Sequence, residues 1–310
     1  MFVFGQQGAE LCYRRTAYTA TLSCFCPLIL RAGFFGVIMD NCRTKYPILL
    51  VHGMGFRDEP ICYWGRIPKV LRAHGAEVFF GGQEANASVE RNAELLVKRL
   101  ERVLAETGAE KVNVIAHSKG GMETRYLIST LKQGGRIASL TSISTPHNGS
   151  KAMDWLMKLR PIMKLVGVGT DFFKLIGGDK KPDTYRCFEQ LTTGYMKRFN
   201  AANPDDARVH YRSCAFLMKH WYSDIIMAVP YIGVLLLNGR SDGFLTPSEV
   251  THGEHRGTFT GTGYRGMSHC DEADLRRMRC GVTDLDTGEK FRDVTDMYVR
   301  LVSELKEKGL

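Results

Sequence analysis

An α/β fold, in which a mostly parallel sheet is flanked by helices and carries an inserted helical cap, follows from three features of this sequence. From Tyr46 onward, short runs of branched apolar residues alternate with longer amphipathic segments, and such alternation implies right-handed βαβ crossovers. One apolar run, residues 111–116, passes through a tight turn of small residues straight into a helical segment. After Ser150 the rhythm breaks, and residues 151–207 carry helical stretches rich in Met, Trp, Phe and Leu.

Residues 47–51 read as a buried strand that ends at His52-Gly53-Met54-Gly55-Phe56. Residues 66–73 are helical and 76–80 a strand. Over 89–106, Leu95, Leu96, Leu100 and Leu104 share one helical face, and Gly108 stops that helix. The strand at 111–116 is followed by a helix over 120–133 and a strand over 137–143. In such a sheet, ligands bind beyond the carboxyl ends of the strands. The segment 151–207, punctuated by glycines and by Asp179-Lys180-Lys181-Pro182, reads equally as a substrate lid and as a helical excursion filling core space. Residues 225–237 are apolar, contain Pro230, and are shorter than the roughly 20 residues that cross a bilayer. They are expected to line the site or the core. Residues 291–306 read as a closing amphipathic helix.

A chain of 310 residues with 44% hydrophobic and 24% charged residues has an ordinary globular composition. It suffices for one domain over 40–310 with the cap inserted at about 151–207. Residues 1–39 form a leader with two readings. An apolar stretch over 19–39 follows Arg14 and Arg15, as in an export signal or anchor, but Arg31 interrupts it. The run before that arginine is only about ten residues, against roughly 20 for a membrane helix. In the other reading translation starts at Met39 and the leader lies outside the fold. The net charge of +9 favours anionic surfaces. Its densest group, Arg276, Arg277 and Arg279, lacks the interleaved aromatics or recognisable module of nucleic-acid binding, so no nucleic-acid partner is expected. Nine cysteines are scattered without a CxxC pair, which excludes a zinc or redox motif. That usage fits a reducing, cytoplasmic compartment, with export or anchoring through the leader as the alternative.

The chemistry is concentrated at Val112-Asn113-Val114-Ile115-Ala116-His117-Ser118-Lys119-Gly120-Gly121. A serine at the apex of a strand-turn-helix needs small residues two before and two after it, and Ala116 and Gly120 meet that need. Alanine in the first position departs from the usual Gly-x-Ser-x-Gly. A serine hydroxyl needs a base, and the base needs an acid to hold its tautomer. On sheets that present a serine this way the acid follows the serine and the histidine follows the acid. Asp242, in Asn238-Gly239-Arg240-Ser241-Asp242-Gly243-Phe244, and His269, in Gly266-Met267-Ser268-His269, satisfy that order. Rivals are His252 and His255 for the base and Asp224 for the acid. The oxyanion donors are expected to be the backbone N–H groups of Met54 and Lys119, with Gly53 and Gly55 letting the early loop approach substrate.

Five segments in this order, Val51-His52-Gly53-Met54-Gly55-Phe56, Ala116-His117-Ser118-Lys119-Gly120-Gly121, Ser144-Thr145-Pro146-His147-Asn148-Gly149-Ser150, Ser241-Asp242-Gly243 and His269-Cys270-Asp271-Glu272, resemble bacterial triacylglycerol lipases of the α/β-hydrolase superfamily. The resemblance covers residues 46–275, and the cap matches only in being helical. It implies a structural His147 at the junction of strand and cap. It also implies a calcium site beside the histidine loop with a carboxylate at Asp271; around Tyr222 the only second carboxylate is Asp224, and Asp271 is otherwise expected to cap a helix. Where many relatives have a disulfide cysteine shortly after the acid, this chain has Ser248, which argues against a secreted enzyme.

Together these readings describe a serine hydrolase of carboxylic esters, a triacylglycerol lipase or carboxylesterase. It would use Ser118, His269 and Asp242, need no cofactor, and touch a membrane or lipid droplet transiently. An acyltransferase or amidase with the same triad, and a non-catalytic binding module of the same fold, are the alternatives.

Overall fold

The computed structural model describes residues 40–58 and 63–310. The expectations for the leader, with Cys12, Cys24, Cys26 and Cys62, fall outside the described residues. The sheet begins with β1 (Ile48–Val51) and β2 (Val78–Phe80), which lies beside it. On the other flank of β1 come β3 (Val112–His117), β4 (Ile137–Ile143), β5 (His210–Leu217) and β6 (Glu254–Gly261). The hairpin of β7 (Val282–Asp284) and β8 (Lys290–Phe291) completes the order β2-β1-β3-β4-β5-β6-β7-β8. Pairings from β2 through β6 are parallel, and the last two are antiparallel.

Every residue of β1, β3 and β4 is buried, as in strands covered on both faces. Because strand side chains alternate, each strand feeds two cores. Leu49, Val51, Val112 and Val114 pack on one face against Leu96, Leu100 and Val103 of α2 (Val89–Thr107) and Leu127 and Ile128 of α3 (Lys119–Ser129). Ile48, Leu50, Ile115 and Ile143 pack on the other against Ile67 and Leu71 of α1 (Ile67–Ala73) and Met297, Tyr298 and Leu301 of α10 (Val294–Glu307). Ser88 caps α2 by accepting the Arg91 N–H, and Gly108 ends it in the left-handed conformation that glycine adopts without a steric penalty. Leu95 sits at the rim of the α2 face, half-buried.

Residues 291–306 do not form one helix. Phe291 belongs to β8, and α10 starts only after Asp293, whose carboxylate accepts the Thr295 N–H. The 120–133 helix also differs, since α3 begins at Lys119 and ends at Ser129.

The cap expectation holds in its helicity: α4 (Lys151–Leu156), α5 (Arg160–Ile176), α6 (Thr184–Gln190) and α7 (Thr193–Ala202) fill the segment. Ser150, Asp183 and Thr192 cap α4, α6 and α7 with their side chains. Only Met163 and Gly167 of α5 are buried, whereas Leu165, Val168, Phe172, Phe173 and Ile176 are exposed. The expectation that 225–237 lines the site or core holds only for Met227, Tyr231 and Val234; the rest of α8 (Ala228–Asn238) and of the segment before it is not buried. Ile225, Val229 and Leu236 are 89%, 81% and 81% exposed. A helix apolar on every side that packs along one side, here against α4 and the turn at Trp221–Ser223, must leave the rest in solvent. Among the described residues no helix is long and apolar enough to cross a membrane.

Candidate active site

The site is built at the carboxyl ends of β1 and β3. Ser118, the residue between β3 and α3, has φ 54° and ψ −129°, a conformation that costs a non-glycine residue about 1–3 kcal/mol. The crowding around it is measurable at the two glycines that follow Lys119. A Cβ on Gly120 would lie 2.5 Å from the His52 carbonyl oxygen, and one on Gly121 would lie 2.1 Å from Thr145 Oγ1. The early loop is as close, since a Cβ on Gly53 would meet Ser118 Cβ at 2.8 Å. The next amide along that loop is that of Met54. Lys119 is the first residue of α3, so its N–H has no partner within the helix.

The distant residues converge on Ser118. His269 Nε2 lies 3.0 Å from Ser118 Oγ, and His269 Nδ1 lies 2.8 Å from Asp242 Oδ2. The His269 backbone N–H also donates to the Asp242 carbonyl at 2.8 Å, so the two loops are docked through main chain as well as side chain. Asp242 is fully buried, and its Oδ1 accepts the amides of Phe244 and Leu245, each at 2.8 Å. Burial alone would raise its carboxyl. The His269 charge and hydrogen bond, with the Leu245 amide, outweigh burial and hold it below the ordinary carboxylate range.

The other candidates are placed elsewhere. His252 pairs with Asp205 at 3.0 Å and stacks on buried His147, and His255 pairs with Asp286 at 3.2 Å. Asp224 pairs with Arg276. Asp271 caps no helix. It closes a turn by accepting the Ser268 N–H at 3.2 Å and the Ser268 hydroxyl at 2.9 Å. Cys42, Cys187, Cys214, Cys270 and Cys280 are unpaired thiols, and Ser248 lies in α9 (Pro247–Val250).

Sequence reasoning missed the layer behind these residues. The Tyr63 hydroxyl lies 2.6 Å from His117 Nδ1, while His117 Nε2 lies 3.1 Å from Glu272 Oε2. Burial, with the nearby His269 and His52, pushes His117 well below its ordinary range, so it is neutral. Burial, then the Asp242 charge and hydrogen bond, pushes Glu272 well above the usual carboxyl range. That direction favours the protonated acid at Glu272, beside the Asp242 carboxylate. With the proton of Glu272 turned toward Asp242, His117 Nε2 would donate to Glu272 and the Tyr63 hydroxyl to His117 Nδ1. The Lys119 side chain was missed too. It is buried, donates to the Ala87 carbonyl at 2.6 Å and pairs with Glu123, tying the start of α3 to the entry of α2.

A pH-dependent stability difference follows. The unfolded chain releases the Glu272 proton above about pH 4.3 while the folded protein keeps it, so this group's contribution to stability falls as pH rises toward its folded pKa. Asp242 has the opposite sign, and its contribution is lost only below about pH 4. Glu272→Gln keeps an N–H donor toward Asp242 but cannot ionise. In urea unfolding from about pH 5 to 8, the variant should gain on the parent by up to about 1.4 kcal/mol per pH unit. The buried histidines are common to both proteins and cancel in the difference. A constant gap would show that Glu272 carries no proton.

Two further features bear on ligands. The loop bearing Met54 is fastened to the cap: Lys174 Nζ donates to the Gly55 carbonyl and Arg57 to the Gly178 carbonyl at 2.7 Å, while Asp179 accepts the amides of Ala85 and Asn86. Among the described residues, one group of three metal-ligating side chains, His117, His269 and Glu272, has its ligand atoms within 4.8 Å of one another. The hydrogen bonds above already engage those atoms, and a cation there would have to break the bond between His269 and Asp242.

Comparison with known proteins identifies the lineage. A triacylglycerol lipase of Vibrio cholerae is 31% identical over 295 residues, an alignment covering 86% of this chain and 90% of that protein. The chain belongs to the triacylglycerol lipase family. Triacylglycerol lipase 2 of Saccharomyces cerevisiae is 29% identical over 282 residues, covering 87% of this chain and 78% of that one. Residues 47–191 match the palmitoyl protein thioesterase family, a region that holds Ser118 but ends before Asp242 and His269. The fold is that of solved lipases and esterases. A metagenomic carboxyl esterase superposes with a TM-score of 0.63 at 13% identity over 86% of this chain and 76% of that one. The Staphylococcus hyicus lipase does so at 0.57 and 18% over 86% and 98%. Family membership sets the reaction class: this lipase-family chain is a carboxylic ester hydrolase.

Proposed function

We propose that the enzyme cleaves lipid esters through an acyl-enzyme on Ser118, with His269 as general base and acid and Asp242 as its orienting carboxylate. The observation that carries this reading is the continuous chain from Ser118 Oγ to His269 Nε2 at 3.0 Å and from His269 Nδ1 to Asp242 Oδ2 at 2.8 Å. Ser118 gives its proton to His269 as it attacks the ester carbonyl. The oxyanion is received by the backbone N–H groups of Met54 and Lys119, donors worth about 3 kcal/mol each in such sites. His269 returns the proton to the leaving alkoxide, and water activated by the same imidazole releases the acid. The chemistry needs no dissociable cofactor.

Triacylglycerols, the substrates named for the relatives, suit a protein whose α5 and α8 expose contiguous apolar side chains, and transient contact with a lipid surface belongs to the same reading. The thioesterase match extends the proposal to acyl thioesters, which need the same nucleophile and oxyanion donors. A fluorophosphonate probe tests the mechanism directly: intact mass should show one adduct, and peptide mapping should place it on Ser118. No adduct would favour a non-catalytic binding module. A parallel panel of triacylglycerols, short esters, amides and an acyl thioester then assigns the substrate, and amide cleavage without ester cleavage would sink the lipid-ester reading.

A further inference from the structure

The calcium ligands implied beside the histidine loop do not fit a divalent ion, because their free oxygens are already shared by one guanidinium. Asp224 Oδ1 is used locally, accepting the Ile226 and Met227 amides at 2.9 and 3.3 Å. Asp271 Oδ2 is used by Ser268. That leaves Asp224 Oδ2 and Asp271 Oδ1, and both face Arg276. One Nη of Arg276 pairs with Asp224, and the other lies 3.5 Å from Asp271. Both carboxylates are buried. Calcium takes six to eight oxygen ligands at 2.3–2.6 Å and would have to enter against a fixed positive charge. A guanidinium instead offers several N–H donors in a rigid fork and cannot be deprotonated or diluted away.

We propose that Arg276 is the built-in cation of the His269 loop, a positioning residue that cross-links this loop to the segment entering α8 and makes the fold independent of calcium. Three observations agree. Arg265 spans the same two segments, donating to the Ser223 carbonyl at 2.8 Å and lying 3.9 Å from Asp271. Ser268, which Asp271 holds, immediately precedes His269. Burial would raise Asp224, but the hydrogen bond and charge of Arg276 lead the opposing effects and hold the carboxyl below its usual range, as for a paired carboxylate. The inference concerns the loop and not the ester chemistry, so it can fail while the acyl-enzyme reading stands, and the reverse.

The test is thermal unfolding and calorimetric calcium binding on the full chain. The parent should have the same Tm with EDTA as with millimolar calcium, and no calcium binding at this site. Arg276→Ala leaves buried Asp224 with no counter-charge and Asp271 with only Arg265, 3.9 Å away, and should lower Tm by roughly 5–10 °C. In that variant the freed oxygens form a cation seat, so millimolar calcium should restore most of the Tm and of kcat, with KM little changed. Arg276→Lys should retain part of the Tm without calcium. A parent stabilised by calcium or destabilised by EDTA overturns the proposal, whether or not the variants fold. So does an Arg276→Ala protein with the parent's Tm, or one that calcium does not rescue.

Discussion

Ser118→Ala is expected to lower kcat for ester hydrolysis by about 10⁵–10⁶-fold while leaving KM within a few-fold. The loss is so large because the proposed mechanism gives His269 Nε2 one task, to take the proton of the Ser118 hydroxyl 3.0 Å away. Residual turnover would come from water attacking an ester polarised by the oxyanion donors, which alone accelerate such reactions about 10³–10⁴-fold over water. The same position predicts a trade between stability and activity. With φ 54° and ψ −129°, Ser118 holds backbone strain that Ser118→Ala keeps and Ser118→Gly relieves. In chemical denaturation the glycine variant should therefore be more stable than the alanine variant by about 1 kcal/mol, after its larger unfolded-state entropy is allowed for. Equal stabilities would mean that the turn is not strained. A Ser118→Ala enzyme within tenfold of the parent would place the nucleophile elsewhere.

How much of this is legible in the sequence depends on how local the cause is. β1, β3 and β4 can be read directly because burial on both faces demands runs such as Ile48-Leu49-Leu50-Val51. β5 is hidden because its second and third residues are Tyr211 and Arg212. The arginine is tolerated in a central strand only because Thr141 and Glu304, 71 and 92 residues away in sequence, satisfy it. β6 is hidden by its polar first half, Glu254, His255 and Arg256, and by Gly257. For α8 the composition announces an apolar segment but neither its helicity nor its orientation, since a segment apolar on all sides carries no marker of the side that faces water.

The site divides in the same way. Ser118, Asp242 and His269 are legible because each sits in a turn with its own small-residue grammar and because chain order restricts the choice. The supporting layer is not. Tyr63 meets His117 across 54 residues and His117 meets Glu272 across 155, and nothing local in the sequence marks either pairing. A weaker signal was present: His117 and Glu272 are polar residues attached directly to the nucleophile and histidine motifs, where burial obliges them to find partners. Beside the histidine loop, Asp271 is marked only by the family resemblance and Asp224 only as the one other carboxylate nearby, while Arg276 can be placed between them only in three dimensions.

Asp242→Asn is the substitution whose failure can be derived atom by atom. Oδ1 of Asp242 accepts two amide N–H groups, from Phe244 and Leu245, each at 2.8 Å, and Oδ2 accepts from His269 Nδ1. An asparagine must keep its oxygen where Oδ1 is, because turning the amide would aim two N–H groups at two N–H groups. Its Nδ2 then faces His269 Nδ1 as a donor and forces that nitrogen to be the acceptor. The proton moves to Nε2, which now points an N–H at Ser118 and cannot receive the serine proton. We expect kcat to fall about 10⁴-fold with KM nearly unchanged, the magnitude associated with a wrong tautomer in intact geometry. The fold should survive, since the turn hydrogen bonds remain, and Glu272, relieved of the neighbouring charge that raises it, should lose its proton more readily than in the parent. Steady-state ester hydrolysis at neutral pH measures the effect on kcat, and imidazole ¹⁵N shifts measure the tautomer. A variant that retains the Nδ1–H tautomer, or loses less than tenfold in kcat, would mean that Asp242 is not the residue that orients His269.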